Sequence, residues 1–345
     1  MGKIWLDALT PKQALLATSL ARVLVSKGYN ILLTVRDYDY TVRVAEKQGF
    51  KPVIVGGYGG SRLIGKLVAD IDRMRNLVNI IERESPQALI AYPSPSAARI
   101  AFGLKIPYIA LTDSPHSVPA SRLSLSLADI VVFSYCIPRR SIEVYTYSST
   151  RLIQYNGFDE LEWIKTEKPD INVIKELGLE EKKYVVVRLE ERYAAYYPRE
   201  NAVRVSEIVE KLAEKTTIVA LPRYGDQWDE LQDLRNVIVL SDPVHGVSLE
   251  YYAAAVVSGG GTMTREAALL GVPGINLFPR RLIVDECVMK LGFPLYKASS
   301  IDEALELLNN ILRDPDKFRV DTKHMLDQME KPSDILVELL EELTK

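Results

Sequence analysis

Short apolar runs alternate with longer segments of helical spacing along the chain. In the first half, strands are predicted at 3–6, 30–35, 52–55, 88–92, 108–111, 130–133 and 152–154. A helix is predicted at 11–27, because Pro11 suits the first helical turn and Gly28 the stop. Strands that alternate with helices favour a parallel sheet covered on both faces. Ligands of such sheets bind beyond the carboxyl ends of the strands.

A turn signal and a charged segment interrupt this alternation near the middle of the chain. The turn is Asn156-Gly157 and the charged segment is 160–170. Further strands are predicted at 184–188, 217–221, 237–240, 255–257 and 274–277, with helices that include 199–213, 302–312 and 332–343. We therefore expect an α/β fold of two doubly wound, Rossmann-like domains, 1–158 and 159–331, facing each other across a cleft. The helix in 332–345 is expected to pack back on the first domain.

Length and composition agree with two domains. A chain of 345 residues exceeds what one hydrophobic core usually covers. The formal net charge of −3 gives no general attraction to nucleic acid, and no nucleic-acid partner is expected. No apolar run approaches the roughly 18 residues that span a bilayer, and we see no signal-peptide pattern, so a cytoplasmic protein is expected. The three histidines and two cysteines show no metal-ligand spacing, and no metal is expected.

The most specific local signal is a glycine run between an apolar strand and a helix. Glycines permit a close approach of the backbone to a ligand. The unpaired amides and the dipole of the following helix would attract phosphate oxygens. The residues predicted to bind a diphosphate are Ser258, Gly259, Gly260, Gly261 and Thr262.

Glu266 lies four residues after Thr262 and therefore on the same face of the predicted helix. A carboxylate in this position can accept hydrogen bonds from both ribose hydroxyls of a nucleotide. The alternative is an ordinary glycine-rich turn with Glu266 in solvent, and the residues alone leave both interpretations open. The run has neither the dinucleotide fingerprint of Rossmann folds nor the spacing of a P-loop.

The passage 236–279 resembles the nucleotide-sugar half of the GT-B superfamily. Similar families are the N-acetylglucosamine transferase of peptidoglycan assembly and the UDP-N-acetylglucosamine 2-epimerases. The shared order is a strand, a proline (here Pro243), a helix, a strand, the glycine turn, a helix with a glutamate, and Gly271-Val272-Pro273. The whole chain looks most like a largely archaeal family of predicted GT-B glycosyltransferases. Further segments carrying that likeness are 3–7 and Arg188-Leu189-Glu190-Glu191 with Tyr196-Tyr197.

The resemblance implies roles for individual residues on the donor side. The glycine turn would hold the diphosphate of a nucleotide-sugar, a UDP-sugar by analogy, and Glu266 would hold the ribose. The backbone at Pro243 and Val244 would contact the base. Asp285 and Glu286 fall where the peptidoglycan transferase has glutamines facing the donor sugar, so the sugar itself is left open. The resemblance implies no required cofactor.

Two arginines follow predicted strands of the second domain. Arg188 ends its strand, and a permanently charged guanidinium there suits a diphosphate leaving group. Arg223 occupies the equivalent end of the next strand. For each arginine, a surface ion pair is the alternative.

Acidic residues and a histidine follow strands of the first domain. Asp113 and His116 come just after one strand, and either could deprotonate an acceptor hydroxyl. The alternative is an Asx-type turn with an exposed histidine. Asp7, after the first strand, is a second candidate acid.

A glycine-rich loop, 56–60, leads into a segment with apolar residues at helical spacing. These residues are Ile64, Leu67, Val68, Ile71, Met74, Leu77, Val78 and Ile81. Core packing is the favoured explanation. Because Arg62, Lys66, Arg73 and Arg75 accompany them, a helix at a membrane surface is the alternative.

The function expected from these features is nucleotide-sugar-dependent glycosyl transfer of GT-B type without a metal. The second domain would bind the donor, and the first would bind an unknown acceptor, either a glycan or a lipid-linked molecule. A nucleotide-sugar 2-epimerase is one alternative. A non-catalytic nucleotide-sugar-binding protein is the other.

Overall fold

The computed structural model of the chain describes residues 2–193 and 203–343. It divides into two compact units. The first runs to Trp163 and resumes at Met329, and the second is Ile164–Gln328.

In the first unit, a parallel sheet of seven described strands has the order β3-β2-β1-β4-β5-β6-β7. The strands are β1 (Lys3–Ala8), β2 (Asn30–Asp37), β3 (Val53–Gly57), β4 (Ala88–Ala91), β5 (Tyr108–Leu111), β6 (Ile130–Ser134) and β7 (Arg151–Tyr155). The helices are α1 (Pro11–Ser26), α2 (Thr41–Lys47), α3 (Leu63–Glu84), α4 (Pro95–Gly103), α5 (Val118–Ser124), α6 (Arg140–Glu143) and α7 (Leu161–Ile164).

In the second unit, six described strands form a parallel sheet of order β10-β9-β8-β11-β12-β13. They are β8 (Tyr184–Arg188), β9 (Thr217–Leu221), β10 (Val237–Val239), β11 (Ala255–Ser258), β12 (Gly274–Asn276) and β13 (Leu295–Lys297). The helices are α8 (Ile171–Glu176), α9 (Ser206–Leu212), α10 (Gly225–Leu231), α11 (Gly246–Tyr251), α12 (Thr262–Leu269), α13 (Ile283–Lys290), α14 (Ile301–Arg313), α15 (Pro315–Phe318) and α16 (Lys323–Asp327). The chain ends with α17 (Pro332–Leu343).

The prediction of two doubly wound, Rossmann-like parallel units is confirmed. Each predicted strand is present, with ends that differ by no more than two residues. The sequence pattern missed β13, because its three residues are too few to show an apolar run. The helix predicted at 199–213 begins at Ser206, and its first predicted residues, 199–202, lie outside the described part of the chain.

Burial on both faces explains why the central strands are almost uniformly apolar. In β8, Val185 and Val187 pack into the core on one face of the sheet. Tyr184 and Val186 pack into a second core on the other face. Alternate side chains of a strand point to opposite faces, so a strand covered by helices on both sides must be apolar at every position.

The final helix packs on the first unit. It contacts α1, and the backbone amide of Ser333 donates a hydrogen bond of 2.8 Å to the Glu162 carboxylate. Burial raises the pKa of Glu162 above its usual value. A side chain at Gly157 would place its Cβ 2.1 Å from the carbonyl oxygen of Glu330, so the returning chain passes in direct contact with this glycine.

The expectation that the apolar stripe of α3 packs in the core is wrong for most of that stripe. Leu77 and Ile81 are buried, whereas Ile64, Leu67, Val68, Ile71 and Val78 are exposed. The physical reason is Arg73, which is fully buried. Its ion pair with Asp7 turns the side of the helix that carries Arg73 toward the sheet, so the side with the exposed apolar residues faces away.

A glycine just after α12 allows a test of how the packing of the second unit contributes to stability. Gly271 has a φ of +80°, and a Cβ there would lie 2.1 Å from the carbonyl oxygen of Val320. We expect Gly271→Ala to lower the free energy of unfolding by about 3 kcal/mol, from left-handed strain and overpacking together. Denaturant unfolding followed by circular dichroism measures this change.

Gly292 is the matched control for this substitution. It follows α13 and has a φ of +92°, and a Cβ added there would have no atom of the described residues within 4 Å. Gly292→Ala should therefore cost only the backbone strain, about 1 kcal/mol. Equal costs for the two substitutions would show that the contact with Val320 does not constrain the fold.

Candidate functional site

Three strand ends of the second sheet align at its carboxyl edge. Ser258, the last residue of β11, pairs with Arg188 of β8 on one side and with Asn276 of β12 on the other. Because the strands are parallel, all three residues lie where ligands of such sheets bind.

The glycine turn follows directly from this edge. The amide of Gly259 donates to the carbonyl oxygen of Arg188 at 3.2 Å, and the amide of Gly260 donates to the hydroxyl of Ser258 at 3.0 Å. A side chain at Gly259 would place its Cβ 2.5 Å from the Cβ of Glu190. The turn therefore lies against the chain that leaves β8, at a distance that only glycine permits.

Helix α12 begins immediately after the turn. Gly261 is its N-cap residue and supplies no side-chain hydrogen bond to the first-turn amides, and no acidic residue occupies that turn. These amides, with the positive end of the helix dipole, form a receptor for an anion such as a phosphate group. Thr262 is the first helical residue, and Glu266 is buried one turn further along. The predicted ribose contact of Glu266 stays a prediction.

A buried ion pair packs against the glycine turn. The guanidinium of Arg265 is 2.8 Å from one carboxylate oxygen of Asp285, and the side-chain amide of Asn276 donates to the other. A Cβ on Gly261 would lie 2.5 Å from the same guanidinium. The structure thus directs both Asp285 oxygens to protein partners. Its neighbour Glu286 is 3.6 Å from the exposed Arg281.

Arg188 and Arg223 join the ends of β8 and β9. Arg188 is buried, and its guanidinium donates to the carbonyl oxygens of Leu221 and Pro222 at 3.3 and 3.0 Å. The interpretation of Arg188 as a surface residue is therefore wrong. Arg223 donates to the carbonyl oxygen of Leu189 at 3.2 Å and is 3.8 Å from the Glu191 carboxylate.

Glu190, two residues after Arg188, is also buried. Its carboxylate accepts a hydrogen bond of 3.3 Å from the amide of Val205, and burial raises its pKa. Tyr196 and Tyr197, which belong to the same sequence resemblance, lie outside the described residues.

The loop predicted to contact the base is held by His245. Pro243 and Val244 are half-buried just before it. The Nδ1 atom of His245 lies 2.6 Å from the Ser248 hydroxyl and caps α11, and its Nε2 atom lies 3.0 Å from the Glu167 carboxylate. Both ring nitrogens therefore have protein partners, and the imidazole positions the loop.

A lysine with several carboxylates occupies the carboxyl edge of the first sheet. Lys12, in the first turn of α1, has its Nζ atom 2.6 Å from Asp113, 3.2 Å from Asp159 and 3.5 Å from Glu160. Asp113 follows β5, and the other two acids follow β7. We call these four residues the Lys12 cluster.

Two tyrosines complete the surroundings of this cluster. The hydroxyls of Tyr92 and Tyr155 both donate to the Asp159 carboxylate, the latter at 2.6 Å. Burial raises the pKa of Tyr155 well above its usual value, so this residue remains a donor at neutral pH. One ammonium faces three carboxylates, which gives the cluster groups for proton transfer and for binding hydroxyls.

The three residues of the first domain that the sequence singled out, Asp113, His116 and Asp7, lie in three different environments. Asp113 belongs to the Lys12 cluster and also accepts a hydrogen bond of 2.7 Å from Ser114. His116 is exposed in the following turn. Asp7 is buried, 2.6 Å from Arg73, and accepts a hydrogen bond from Thr34. Sequence reasoning missed Lys12, Asp159 and Glu160, and their only signal is a position beside strand ends.

The described part of the chain shows neither a metal site nor a membrane span. Within residues 2–193 and 203–343, no group of three or more His, Cys, Asp or Glu side chains is placed to hold a metal ion. In the same ranges, no helix combines the length and the apolar character needed to cross a membrane.

Comparison with known families identifies the chain. A family model described as protein of unknown function (DUF354) matches residues 2–345. The chain belongs to the DUF354 family. One relative of this DUF354 protein is the uncharacterized protein MJ0665 of Methanocaldococcus jannaschii, 26% identical over 287 residues that cover 81% of this chain and 83% of the relative.

Solved structures show which fold the DUF354 protein has. The UDP-GlcNAc 2-epimerase of Methanocaldococcus jannaschii in complex with UDP-GlcNAc and UDP aligns with a TM-score of 0.72 and 13% identity, covering 99% of each chain. The spinosyn forosaminyltransferase SpnP aligns with a TM-score of 0.62 and 16% identity, covering 100% of each chain. These structural alignments establish the GT-B type fold. At such low sequence identity they do not carry an activity over, which is argued from the site.

The ion pair under the glycine turn gives the second prediction. Replacing one member leaves an uncompensated buried charge, so Arg265→Met and Asp285→Asn should each cost about 3–5 kcal/mol of unfolding free energy. The double variant should cost less than the sum of the two, because neither charge then lacks its partner. Denaturant unfolding of all four proteins measures the coupling.

The pair of the exposed Arg281 and the half-buried Glu286 is the matched control, since Glu286 lies on the same helix as Asp285. Arg281→Met should cost less than about 1 kcal/mol, as exposed ion pairs usually do. If Arg265→Met costs no more than Arg281→Met, the buried pair does not support the turn.

Proposed function

We propose that this DUF354 protein is a metal-independent glycosyltransferase of GT-B type that uses a nucleotide-sugar, a UDP-sugar, as donor. The observation that carries the proposal is the glycine turn between β11 and α12, which aligns uncapped helix amides with the strand end at Ser258. The GT-B type fold supports it, because that fold is shared with proteins crystallised with UDP-GlcNAc.

The donor binds in the second unit in this proposal. The amides of α12 hold the diphosphate, which becomes the leaving group. Arg188 fixes the adjacent strand end and adds positive charge, which favours departure of the diphosphate. Glu266 accepts the ribose hydroxyls, and the loop at Pro243 and Val244, fixed by His245, contacts the base.

The acceptor, a glycan or a lipid-linked molecule, is activated by the first unit. Asp113 takes the proton from the acceptor hydroxyl as that oxygen attacks the anomeric carbon of the donor. Lys12 lies 2.6 Å from Asp113 and orients its carboxylate. The exposed His116 is the nearest group in sequence that can pass this proton to solvent. General bases of this kind typically contribute 10²–10⁴-fold to a rate.

Epimerisation at carbon 2 of a nucleotide-sugar is the second candidate. The observation that favours it is the Lys12 cluster, because three carboxylates and two tyrosine hydroxyls can serve the proton transfers of elimination and re-addition of the nucleotide. An epimerase converts the donor with no acceptor present. Product analysis of the donor alone therefore separates the two candidates.

The ribose contact of Glu266 predicts a specific pattern of nucleotide affinity. Wild-type protein should bind UDP more tightly than 2′-deoxy-UDP by at least about tenfold, since a hydrogen bond to a charged group contributes roughly 1.5–3 kcal/mol. Glu266→Ala should bind both nucleotides equally. Thermal stabilisation measures this, because a ligand at about 100 times its dissociation constant adds roughly 2.7 kcal/mol.

Glu306→Ala is the control, since this glutamate is exposed on α14. It should retain the preference for UDP. A guanosine, adenosine and thymidine diphosphate panel is measured in parallel, so that a different base is recognised if UDP is not the ligand. No stabilisation by any nucleotide at millimolar concentration would refute the donor site.

A variant of Asp113 tests catalysis separately from donor binding. Asp113→Asn should bind the nucleotide with unchanged affinity and lose at least about 100-fold in turnover, because the amide accepts no proton. Turnover of wild type should be unaffected by EDTA. Asp72→Asn, at an exposed position of α3, should leave both properties unchanged. Full turnover in Asp113→Asn would remove Asp113 from the mechanism.

A further inference from the structure

Helix α3 presents large apolar side chains to solvent along its first turns. Exposed fractions are 77% for Leu63, 56% for Ile64, 57% for Leu67, 47% for Val68 and 50% for Ile71. We call these five residues the α3 apolar face. Monomeric proteins rarely leave so many adjacent apolar side chains in water without a function.

The opposite side of α3 explains why this face cannot turn inward. Arg73 is buried there, and its guanidinium donates to the carbonyl oxygen of Val55 at 3.0 Å, to Ser96 at 2.8 Å and to Asp7 at 2.6 Å. Rotation of the helix would carry Arg73 away from the sheet and leave the buried Asp7 carboxylate without its ion-pair partner, which is strongly unfavourable. The buried ion pair therefore keeps the apolar face outside.

The loop before α3 is fixed against the helix. A Cβ on Gly59 would lie 2.3 Å from the carbonyl oxygen of Gly65, so the two backbones are in direct contact. Tyr58, in this loop, is 42% exposed and contacts the ring of Tyr38 with centroids 5.1 Å apart. An exposed tyrosine beside exposed aliphatic residues is a combination typical of membrane–water interfaces.

The charged side chains within residues 62–68 are both positive. Arg62 is exposed just before it, and Lys66 is half-buried within it. Asp70 is the acid within 54–71, and its side chain turns inward to a hydrogen bond with Ser96. Asp72 is the next exposed acid and lies one residue beyond the face.

We propose that the α3 apolar face binds the surface of an anionic lipid bilayer. Apolar side chains would enter the boundary between headgroups and acyl chains, and Arg62 and Lys66 would lie at the level of the lipid phosphates. A second copy of the chain fits less well. A two-fold interface places the same patch against itself, so the cations of one copy would face those of the other.

The location of the face relates membrane binding to the proposed acceptor chemistry. The face begins just after the carboxyl end of β3, and Asp113 follows the carboxyl end of β5 in the same parallel sheet. These strands are four positions apart, which corresponds to about 19 Å at the usual strand spacing. A lipid-linked acceptor would thus approach the edge that carries the Lys12 cluster. This last step rests on the proposed function, whereas membrane binding itself does not.

Vesicle flotation of the full-length protein tests the proposal. Wild type should float with vesicles of phosphatidylcholine and phosphatidylglycerol, and should not float with phosphatidylcholine alone. Leu67→Gln with Ile71→Gln should reduce binding at least about tenfold, because two aliphatic side chains would no longer leave water on binding. Arg62→Gln with Lys66→Gln should weaken binding mainly at low salt.

Leu123→Gln with Val144→Gln is the matched control, since these aliphatic residues are 59% and 70% exposed elsewhere in the first unit. It should bind vesicles like wild type. Nucleotide affinity is measured on the same proteins and should not change, so failure of the donor site is recognised separately. Absence of wild-type binding to anionic vesicles would overturn the proposal. So would a wild-type dimer that Leu67→Gln with Ile71→Gln converts to monomers without any lipid binding.

Discussion

Close contacts at three glycines, which leave no room for a side chain, pack the glycine turn and α12 against the second sheet. A Cβ on Gly259 would overlap Glu190, one on Gly261 would meet Arg265, and one on Gly274 would lie 2.2 Å from the carbonyl oxygen of Thr264. These contacts bring the end of β11, the glycine turn and α12 together as closely as backbones allow. Alignment of Ser258 with Arg188 and Asn276 follows from this packing, as does the exposure of the helix amides at the edge.

The elements of the second unit could be predicted because their signals are local. Apolar runs bounded by turns locate β8, β9 and β11, and a glycine run followed by a helical segment locates the turn before α12. The partners of the charged side chains are not local. Arg265 and Asp285 are 20 residues apart, and nothing in the spacing distinguishes a buried pair from an acid that faces the ligand. The family resemblance placed Asp285 beside the sugar, whereas both of its oxygens accept hydrogen bonds from protein groups.

The Lys12 cluster shows more clearly that sequence patterns do not identify the partners of charged side chains. Lys12 is 101 residues from Asp113 and 147 from Asp159, and these three meet because α1 begins, and β5 and β7 end, at one edge of the first sheet. Sequence reasoning could place Asp113 at a strand end, since a strand pattern precedes it. It could not pair that carboxylate with a lysine in a helix whose first turn was identified only by Pro11. Topology, which sets the neighbours of each strand, supplies this information.

Helix α3 shows that periodicity predicts an amphipathic helix without fixing its orientation. Two sets of apolar residues recur at helical spacing in this helix. The set with Leu77 and Ile81 is buried, whereas the α3 apolar face is exposed. One residue decides between them, because the three partners of the Arg73 guanidinium all lie on the sheet side of the helix. Burying the larger apolar set would remove more hydrocarbon from water, yet it would turn Arg73 away from Asp7 and leave that buried carboxylate without its ion-pair partner. The structure keeps the contacts of the Arg73 guanidinium with Asp7, Ser96 and the carbonyl oxygen of Val55, and these contacts fix which side of the helix is buried. The exposed apolar face is therefore a consequence of the Asp7–Arg73 contact, and it persists in water whether or not a membrane covers it.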